Sequence, residues 1–397
     1  MVDRLNKKRL FKETFLITFL IMMVTLGLQY FPLNFEIAKP IKEEFSDFDV
    51  YDIIYTGRAK DNHVRDTDII ILQAAETRRQ IAGQLELLQK YKPKVIGVDL
   101  TFIGHKDSLQ VDSLLEYQLS MSNVVTGYRI DTNKITVIKP NFFDTVTSGK
   151  SGYINFVGDS IAVVRYYPPF RKIDGRLHYA FTSRIAEKYD QKAFSILEKN
   201  AQYLQVVNYR GNIESYTSFL IGQFDTAQFG EKIRDKIVLL GVLYKKDPLV
   251  IEDLHFTPVN DRINGKSFPD MYGVAIHANI LSMIFSHAYI KSVARIWSYL
   301  IGVILTFLLV HYQLRSHYKG RHPAELWFFL LQFIIIIILV YIFLLVYEFL
   351  YHKVPLFPIV IPIVLCIEII EVYKFLLTRL FKKTRYTSVF LDKKNRK

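Results

Sequence analysis

The stretch Lys94-Val95-Ile96-Gly97-Val98-Asp99-Leu100 has the composition of a strand buried on both faces, because its apolar residues run together without polar alternation. Two other runs share this character, Asp68–Gln73 (DIIILQ) and Lys236–Gly241 (KIVLLG). Between the first two strands, Thr77–Tyr91 carries apolar residues at three- and four-residue spacing, which is typical of an amphipathic helix. Apolar strands alternating with helices predict an α/β domain with a mainly parallel or mixed sheet covered by helices.

Further elements extend this pattern along the chain. We predict additional helices over residues 107–120, 177–189, 192–199 and 273–287. We predict additional strands over residues 123–129, 134–139, 161–167 and 204–209. The last predicted helix, 273–287, is expected to run directly into a membrane span.

Four apolar stretches are long enough to be transmembrane α-helices, since about 20 apolar residues cross the hydrocarbon core of a bilayer. They are residues 14–31, 296–314, 326–350 and 354–377. The first follows a basic run and lacks a small-residue cleavage site, so it is interpreted as an anchor and not a cleaved signal peptide. Pro355, Pro358 and Pro362 fall in the first turns of the fourth span, where Pro362 is expected to introduce a kink.

The charge distribution predicts the orientation of the chain. The net charge is +13, of which residues 32–294 carry only +1. The remaining positive charge flanks the apolar segments, as the positive-inside rule requires. A nucleic-acid-binding protein would instead carry its positive charge on the folded domain, so a nucleic-acid partner is not expected. We predict a multi-pass protein of the bacterial inner membrane. The N-terminus 1–13 and the basic tail 378–397 face the cytoplasm, residues 32–294 form an extracytoplasmic domain, and membrane lipid contacts the spans.

Several motifs in a fixed order suggest a family. They are Asp49-x-x-Asp52, Pro93–Asp99 (PKVIGVD), Gly152–Asn155 (GYIN), Arg165, Lys236–Gly241, Asp253-x-x-Phe256-Thr257-Pro258 and Gly273–Asn279 (GVAIHAN), followed by three spans. The chain resembles, over residues 40–314, the CHASE domain of the second type, an extracellular sensory domain of bacterial cyclases and kinases. The resemblance implies a sensor.

Two departures from that family are visible. Relatives often carry an acidic pair after the first strand, where this chain has Gln73-Ala74-Ala75-Glu76, so its ligand is expected to differ or to be absent. Relatives often continue into a cytoplasmic enzyme, whereas the 20 residues after Leu377 are too few for a catalytic domain. We therefore expect any signal to leave through a separate membrane or cytoplasmic partner.

Candidate ligand-binding residues lie where strands end, because ligands of open α/β sheets bind beyond the carboxyl ends of strands. Asp99 ends one strand, and Asp253 and His255 follow another across a loop, so the three are candidates for one polar patch. Each has a structural alternative as a turn or capping residue. His277 and Asn279 open the last helix and either coordinate a metal, bind a polar ligand or satisfy buried backbone groups.

Two further groups of charged residues are candidates for function. Arg165 has the chemistry to clamp an anion, although an internal ion pair fits equally well. In the last span, Glu368, Glu371 and Lys374 recur every three residues and are candidates for transmembrane coupling. Glu371 and Lys374 are expected near the cytoplasmic interface, and Glu368 is expected to face the bundle interior or a partner helix.

Other classes of function are less well supported. The single cysteine, Cys366, lies in an apolar span, so the exported domain has neither a disulfide nor a cysteine-ligated metal site. Without a nucleophile-elbow, zincin or P-loop motif, we expect no enzyme, and we predict no cofactor and no metal. The leading hypothesis is a sensor that binds a small-molecule or protein ligand. The alternative is an envelope scaffold that binds another periplasmic protein, and a homodimer fits either hypothesis.

Overall fold

The computed structural model describes residues 2–30, 49–60, 65–104, 108–131, 136–138, 142–147, 149–156, 163–200, 203–223, 227–243, 253–260, 269–318, 325–380 and 388. The chain divides into two compact units. One comprises Met1–Lys42 with Lys291–Lys397, and the other comprises Glu43–Ile290.

The helices of the described residues follow in chain order. They are α1 (Val2–Tyr30), α2 (Asp52–Lys60), α3 (Arg78–Tyr91), α4 (Leu109–Ser120), α5 (Asp144–Thr147), α6 (Phe181–Tyr189), α7 (Gln191–Asn200), α8 (Ala227–Ile233), α9 (Gly273–Phe285), α10 (Arg295–Tyr318), α11 (Glu325–Leu350), α12 (Phe357–Val364) and α13 (Cys366–Leu380).

The strands are β1 (Asp66–Gln73), β2 (Val95–Val98), β3 (Val124–Asp131), β4 (Thr136–Ile138), β5 (Gly152–Tyr153), β6 (Tyr166–Tyr167), β7 (Phe170–Ile173), β8 (Arg176–Tyr179), β9 (Gln205–Val206), β10 (Tyr216–Phe219), β11 (Ile237–Gly241), β12 (Leu254–His255), β13 (Met271–Tyr272), β14 (Lys291–Ser292) and β15 (His352–Lys353).

The central sheet of unit Glu43–Ile290 has the order β10-β1-β11-β2-β3-β4, with β5 also paired to β3. The pairs from β10 to β3 are parallel, as is β3 with β5, and only β4 runs antiparallel to β3. Every residue of β2 and β11 is buried, as expected for strands covered on both faces. The predicted α/β class and mainly parallel sheet are confirmed.

Helices cover both faces of this sheet. On one face, Ile70, Ile96 and Val238 belong to a core cluster completed by α3, α4 and α8. On the other face, α6 and α9 pack against β1, β2 and β11. Helix α3 begins with a capping box, since Thr77 accepts from the backbone of Gln80 and the Gln80 side chain accepts from Thr77.

The structure corrects three predicted elements in this unit. Residues 177–179, predicted as the start of a helix, belong to a β7–β8 hairpin, and helix α6 begins only at Phe181. The hairpin turn at Asp174 and Gly175 has positive φ at both residues, the conformation of a tight two-residue turn, which helical spacing alone does not reveal. The predicted strands 161–167 and 204–209 reduce, in their described parts, to β6 and β9.

The last helix of this unit also differs from its prediction. Helix α9 ends at Phe285, and His287 has a positive φ of 55°. The next helix, α10, starts at Arg295, after the two-residue strand β14. The predicted helix 273–287 therefore ends two residues early, and the left-handed residue and the extended strand separate it from the predicted span, so the expected direct junction is wrong.

The other unit contains the apolar helices. Three helical segments are long and apolar enough to cross a membrane: Lys7–Gln29, Arg295–His317 and Leu326–Leu350. The predicted fourth span is two helices, α12 and α13, separated at Leu365. Pro362 lies inside α12 and has no N–H for the carbonyl four residues earlier, which weakens a continuous helix here.

The helices α1, α10, α12 and α13 share an apolar core that includes Ile17, Val310, Ile363 and Ile370. Helix α11 instead exposes most of its apolar residues, as expected for a helix that faces lipid. Of the predicted segments, residues 31–48, 319–324 and most of the tail 378–397 lie outside the described residues.

Candidate functional site: two aspartate–histidine pairs

Asp99 lies at the carboxyl end of the central strand β2. Its backbone N–H donates to the Leu240 carbonyl of β11 at 2.8 Å, which fixes the start of the loop that leaves the sheet. The Asp99 side chain is 5 % exposed. The fold thus turns a carboxyl inward at the edge where α/β sheets bind their ligands.

His277 approaches Asp99 from helix α9, one turn after the helix begins. Its Nε2 lies 3.7 Å from Asp99 Oδ1, and its side chain is also 5 % exposed. We call Asp99 and His277 the inner pair. Asp99 Oδ2 and His277 Nδ1 are both buried and have no hydrogen-bond partner among the described residues.

Asp253 and His255 form a second pair, which we call the outer pair. The Asp253 Oδ1 to His255 Nε2 distance is 3.9 Å, and the two side chains are 25 % and 27 % exposed. They are held by the short ladder in which β12 pairs antiparallel with β13, directly before α9. The site therefore has a buried end at the inner pair and a partly exposed end at the outer pair.

Gly273, the first residue of α9, is required for the position of Asp253. Its N–H donates to the Asp253 carbonyl at 3.0 Å. A Cβ built on Gly273 would lie 3.0 Å from Asp253 Oδ1, tighter than an ordinary contact. Asp253 itself has a φ of 69°, a left-handed conformation that aspartate tolerates better than most residues.

Phe156 contacts both pairs. Its ring centroid lies 4.8 Å from that of His277 and 5.1 Å from that of His255. Phe181, at the start of α6, lies 5.1 Å from His277. Each histidine therefore lies between a carboxyl group and at least one aromatic ring.

The surroundings shift the proton affinities of all three buried groups. Burial, reinforced by the Asp253 carboxylate and opposed by Arg129, raises the pKa of Asp99 well above its usual value. Burial lowers the pKa of His277 to about 3, with a smaller effect from His255. Burial and Arg129 together lower the pKa of His255 to about 4. Both imidazoles are consequently neutral near pH 7.

Asn279 has a structural role in the buried face of α9. Its side-chain oxygen accepts from the Arg210 N–H at 2.8 Å, and its amide donates to the Gly211 and Ala275 carbonyls, both at 2.9 Å. These bonds satisfy the side chain completely, which matches the structural alternative considered for this residue. Asn279 is not brought to the inner pair.

Arg165 also lies elsewhere. It forms a bidentate ion pair with Asp52, with Nε–Oδ1 at 3.0 Å and Nη2–Oδ2 at 2.5 Å. Burial raises the pKa of Asp52, while the Arg165 guanidinium opposes that shift. The fork-to-fork geometry requires both charges, so we treat the pair as ionised and as the internal ion pair considered for Arg165.

The position of the family's acidic pair is occupied differently here. Gln73, at the end of β1, donates from Nε2 to the Leu243 carbonyl at 3.0 Å and accepts from the Ile221 N–H at 2.9 Å. An amide both donates and accepts, and this residue uses both capacities to hold two loops. A carboxylate could make only the second bond.

The candidate coupling residues lie on α13. Lys374 Nζ is 3.2 Å from Glu371 Oε1, and the two side chains are 39 % and 42 % exposed. Glu368 is exposed and does not face the interior of the described helices. None of these three residues belongs to the shared apolar core.

The family comparison covers most of this architecture. A model of the CHASE2 domain matches residues 50–312, from the residues before α2 to within α10. The chain belongs to the CHASE2 family. CHASE2 is a family of extracellular sensory domains, and together with the apolar helices it indicates a membrane protein with a sensory domain.

The other comparisons were negative. No curated protein matches the chain, and no solved structure matches it. The CHASE2 assignment therefore gives the class of domain and does not identify its ligand. The chemistry of the site residues is the remaining guide to what the domain binds.

Sequence reasoning found four members of the two pairs and missed their surroundings. Phe156 follows the GYIN motif directly, but a single phenylalanine gives no signal that it will reach two histidines. Arg129, exposed on β3, acts on the site through space and carries no motif. The glycine of the GVAIHAN motif was a usable signal, because a glycine opening a helix commonly marks a close approach.

Proposed function

We propose that this protein is a membrane-anchored sensor whose CHASE2 domain binds a small molecule at the inner pair. The observation that carries the proposal is the buried Asp99 and His277 with an unpaired oxygen and nitrogen. An unsatisfied buried polar group costs about 1–3 kcal/mol, so a purely structural site has reason to avoid it. A ligand that bonds both atoms removes this cost, and the role is binding without catalysis.

The proposal includes an orientation and an output. Residues 32–294 face the outside of the bacterial plasma membrane, and both termini face the cytoplasm. The basic flanks of the apolar helices support this orientation. The signal passes to a separate membrane or cytoplasmic partner, with α13 and its Glu368, Glu371 and Lys374 as the surface available to it.

The proposal is tested with Asp99→Asn in the full-length protein purified in detergent. Asparagine keeps the shape and removes the titratable carboxyl. If the site exists for a ligand, the variant unfolds at the same or a higher temperature than the wild type without ligand, because functional sites sacrifice stability. If Asp99 is a structural residue, the variant unfolds at a lower temperature.

The second part of the test is a thermal-shift screen against pools of metabolites, nucleotides, sugars and ions. A saturable stabilisation of the wild type that Asp99→Asn lacks supports the sensor, since a ligand of the folded state stabilises it by mass action. No stabilisation from any pool, together with a destabilised Asp99→Asn, contradicts the proposal. A stoichiometric protein partner captured without small molecule would then favour the envelope scaffold.

A further inference from the structure

The unpaired atoms of the inner pair can both accept hydrogen bonds when Asp99 is ionised. His277 is neutral near pH 7, because burial lowers its pKa to about 3. A neutral imidazole carries one proton, and a proton on Nε2 would face Asp99 Oδ1 at 3.7 Å. Nδ1 is then a bare acceptor, next to a carboxyl whose Oδ2 is also unpaired among the described residues. A ligand for this position must supply hydrogen-bond donors.

The charges around the site favour a cation. The Asp253 carboxylate repels a negative charge on Asp99. Among the described residues, the Arg129 guanidinium opposes this repulsion. Arg129 is exposed on β3, so water screens its effect on the buried carboxyl. Burial and the Asp253 carboxylate both disfavour the ionised form of Asp99 in the absence of a ligand, and a cation beside Asp99 would favour that form.

The lining favours an organic cation over a metal ion. Among the described residues, no group of three or more His, Cys, Asp or Glu side chains is arranged to hold a metal ion. The rings of Phe156 and Phe181 lie about the histidines, with Phe181 fully buried. Aromatic faces attract ammonium groups and offer no oxygen ligands to a hydrated metal ion.

We propose that the inner pair binds the ammonium group of a small primary amine, which donates N–H bonds to the Asp99 carboxylate and to His277 Nδ1. The inference rests on the proposed function and specifies its ligand class. The partly exposed outer pair marks the side from which the amine enters. The Asp253 carboxylate attracts the approaching cation there.

The inference is tested on the full-length protein in detergent with a matched set of probes. The probes are ammonium, methylamine and ethylamine, with ethanol as the uncharged analogue and tetramethylammonium as a cation without N–H donors. Unfolding temperature and calorimetric binding are followed in the wild type, Asp99→Asn and His277→Gln. The control variant is Asp174→Asn, which removes one exposed carboxylate from the β7–β8 turn.

We expect at least one primary amine to bind the wild type and Asp174→Asn saturably and alike. Binding should weaken by at least about tenfold in Asp99→Asn, and also in His277→Gln, which serves if the first variant does not fold. Ethanol and tetramethylammonium should not bind, because one lacks the charge and the other lacks the donors.

Two results overturn the amine inference and leave the sensor proposal standing. One is an Asp99-dependent ligand that is neutral, anionic or a divalent metal ion. The other is no binding by any amine while Asp99→Asn is as stable as the wild type or more stable. Failure of every probe and pool, combined with a destabilised Asp99→Asn, overturns both. Equal binding of tetramethylammonium and methylamine also overturns the inference, because the N–H bonds would then contribute nothing.

Discussion

At the scale of single residues, burial of the inner pair favours the uncharged forms of both His277 and Asp99 over the charged forms that each would take more readily in water. His277 is neutral at any moderately acidic pH, and the Asp99 carboxyl resists ionisation. Neither shift arises from a hydrogen bond within the pair, since burial is the largest cause for both. The protonation states of both residues therefore depend on the polarity and charge of any group that contacts them.

The shifted histidines predict a loss of stability in acid. The unfolded chain takes up a proton at His277 near pH 6.5, whereas the folded protein resists until about 3. The stabilising contribution of the neutral His277 is thus fully present above the unfolded pKa, and it is lost as the pH falls below that value. At about pH 5 the loss of folding stability caused by His277, relative to neutral pH, is on the order of 2 kcal/mol. Asp99 acts in the opposite direction, because its raised pKa favours the protonated folded form.

We expect His277→Gln to lose less stability than the wild type between about pH 7 and pH 5, measured by unfolding at each pH. His352→Gln, which changes an exposed histidine, serves as the control and should follow the wild type. Identical acid sensitivity in His277→Gln and the wild type would show that His277 is not held neutral by burial.

Replacing Gly273 by alanine should change the stability of the protein in the opposite direction to the same replacement at an unconstrained glycine. Gly83 lies inside α3 with nothing within 4 Å of the position that a Cβ would take, so Gly83→Ala should stabilise the protein by about 0.5–1 kcal/mol. In Gly273→Ala the new Cβ would press on the Asp253 carboxylate, and we expect a loss of up to about 1 kcal/mol. Thermal unfolding of the two variants compares the signs directly, and stabilisation by both would contradict the close contact.

At the scale of elements, helices α10 and α12 approach each other closely at one point. A Cβ on Gly302 would overlap the Pro358 carbonyl oxygen. This carbonyl is the one that Pro362, lacking an N–H, cannot bond within α12. The proline that interrupts the predicted fourth span thus also exposes the backbone atom against which the glycine packs.

Gly302→Ala should therefore destabilise the unit that contains the apolar helices, by about 1–3 kcal/mol, because a backbone oxygen cannot move aside as a side chain can. Gly27→Ala in α1 is a matched control, since nothing lies within 4 Å of its Cβ position. Unfolding in detergent micelles measures both. Equal stability of the two variants would mean that α10 and α12 are not packed this closely.

At the scale of the whole molecule, the proposed orientation makes a labelling prediction. After Cys366→Ser removes the single cysteine, Tyr203→Cys, at a site 78 % exposed, should react with a membrane-impermeant maleimide in intact cells. Lys393→Cys, in the basic tail, should react only after the membrane is permeabilised. The reverse pattern would invert the orientation of the chain.

The sequence by itself determined the α/β class, the main strands and the apolar helices, because these depend on local hydrophobic patterns. Runs such as KVIGVDL and KIVLLG are typical of a buried strand of a covered sheet. Asp99, Asp253, His255 and His277 were named as candidates because residues at strand ends meet at one edge of a parallel sheet. Local turn chemistry was less visible, so residues 177–179 of strand β8 were mistaken for the start of a helix.

Only the tertiary structure decided which candidates come together. Arg165 and Asn279 are polar residues in family motifs, just as His277 is, yet Arg165 pairs with Asp52 and Asn279 holds the backbone at Arg210 and Gly211. The inner pair depends on the distance between a strand end and a helix more than 170 positions later in the chain. The inner pair is buried by all the helices, strands and loops that pack around it, and this burial is what leaves Asp99 Oδ2 and His277 Nδ1 unpaired. Such distances and burials are properties of packing, and no local pattern in the sequence encodes them.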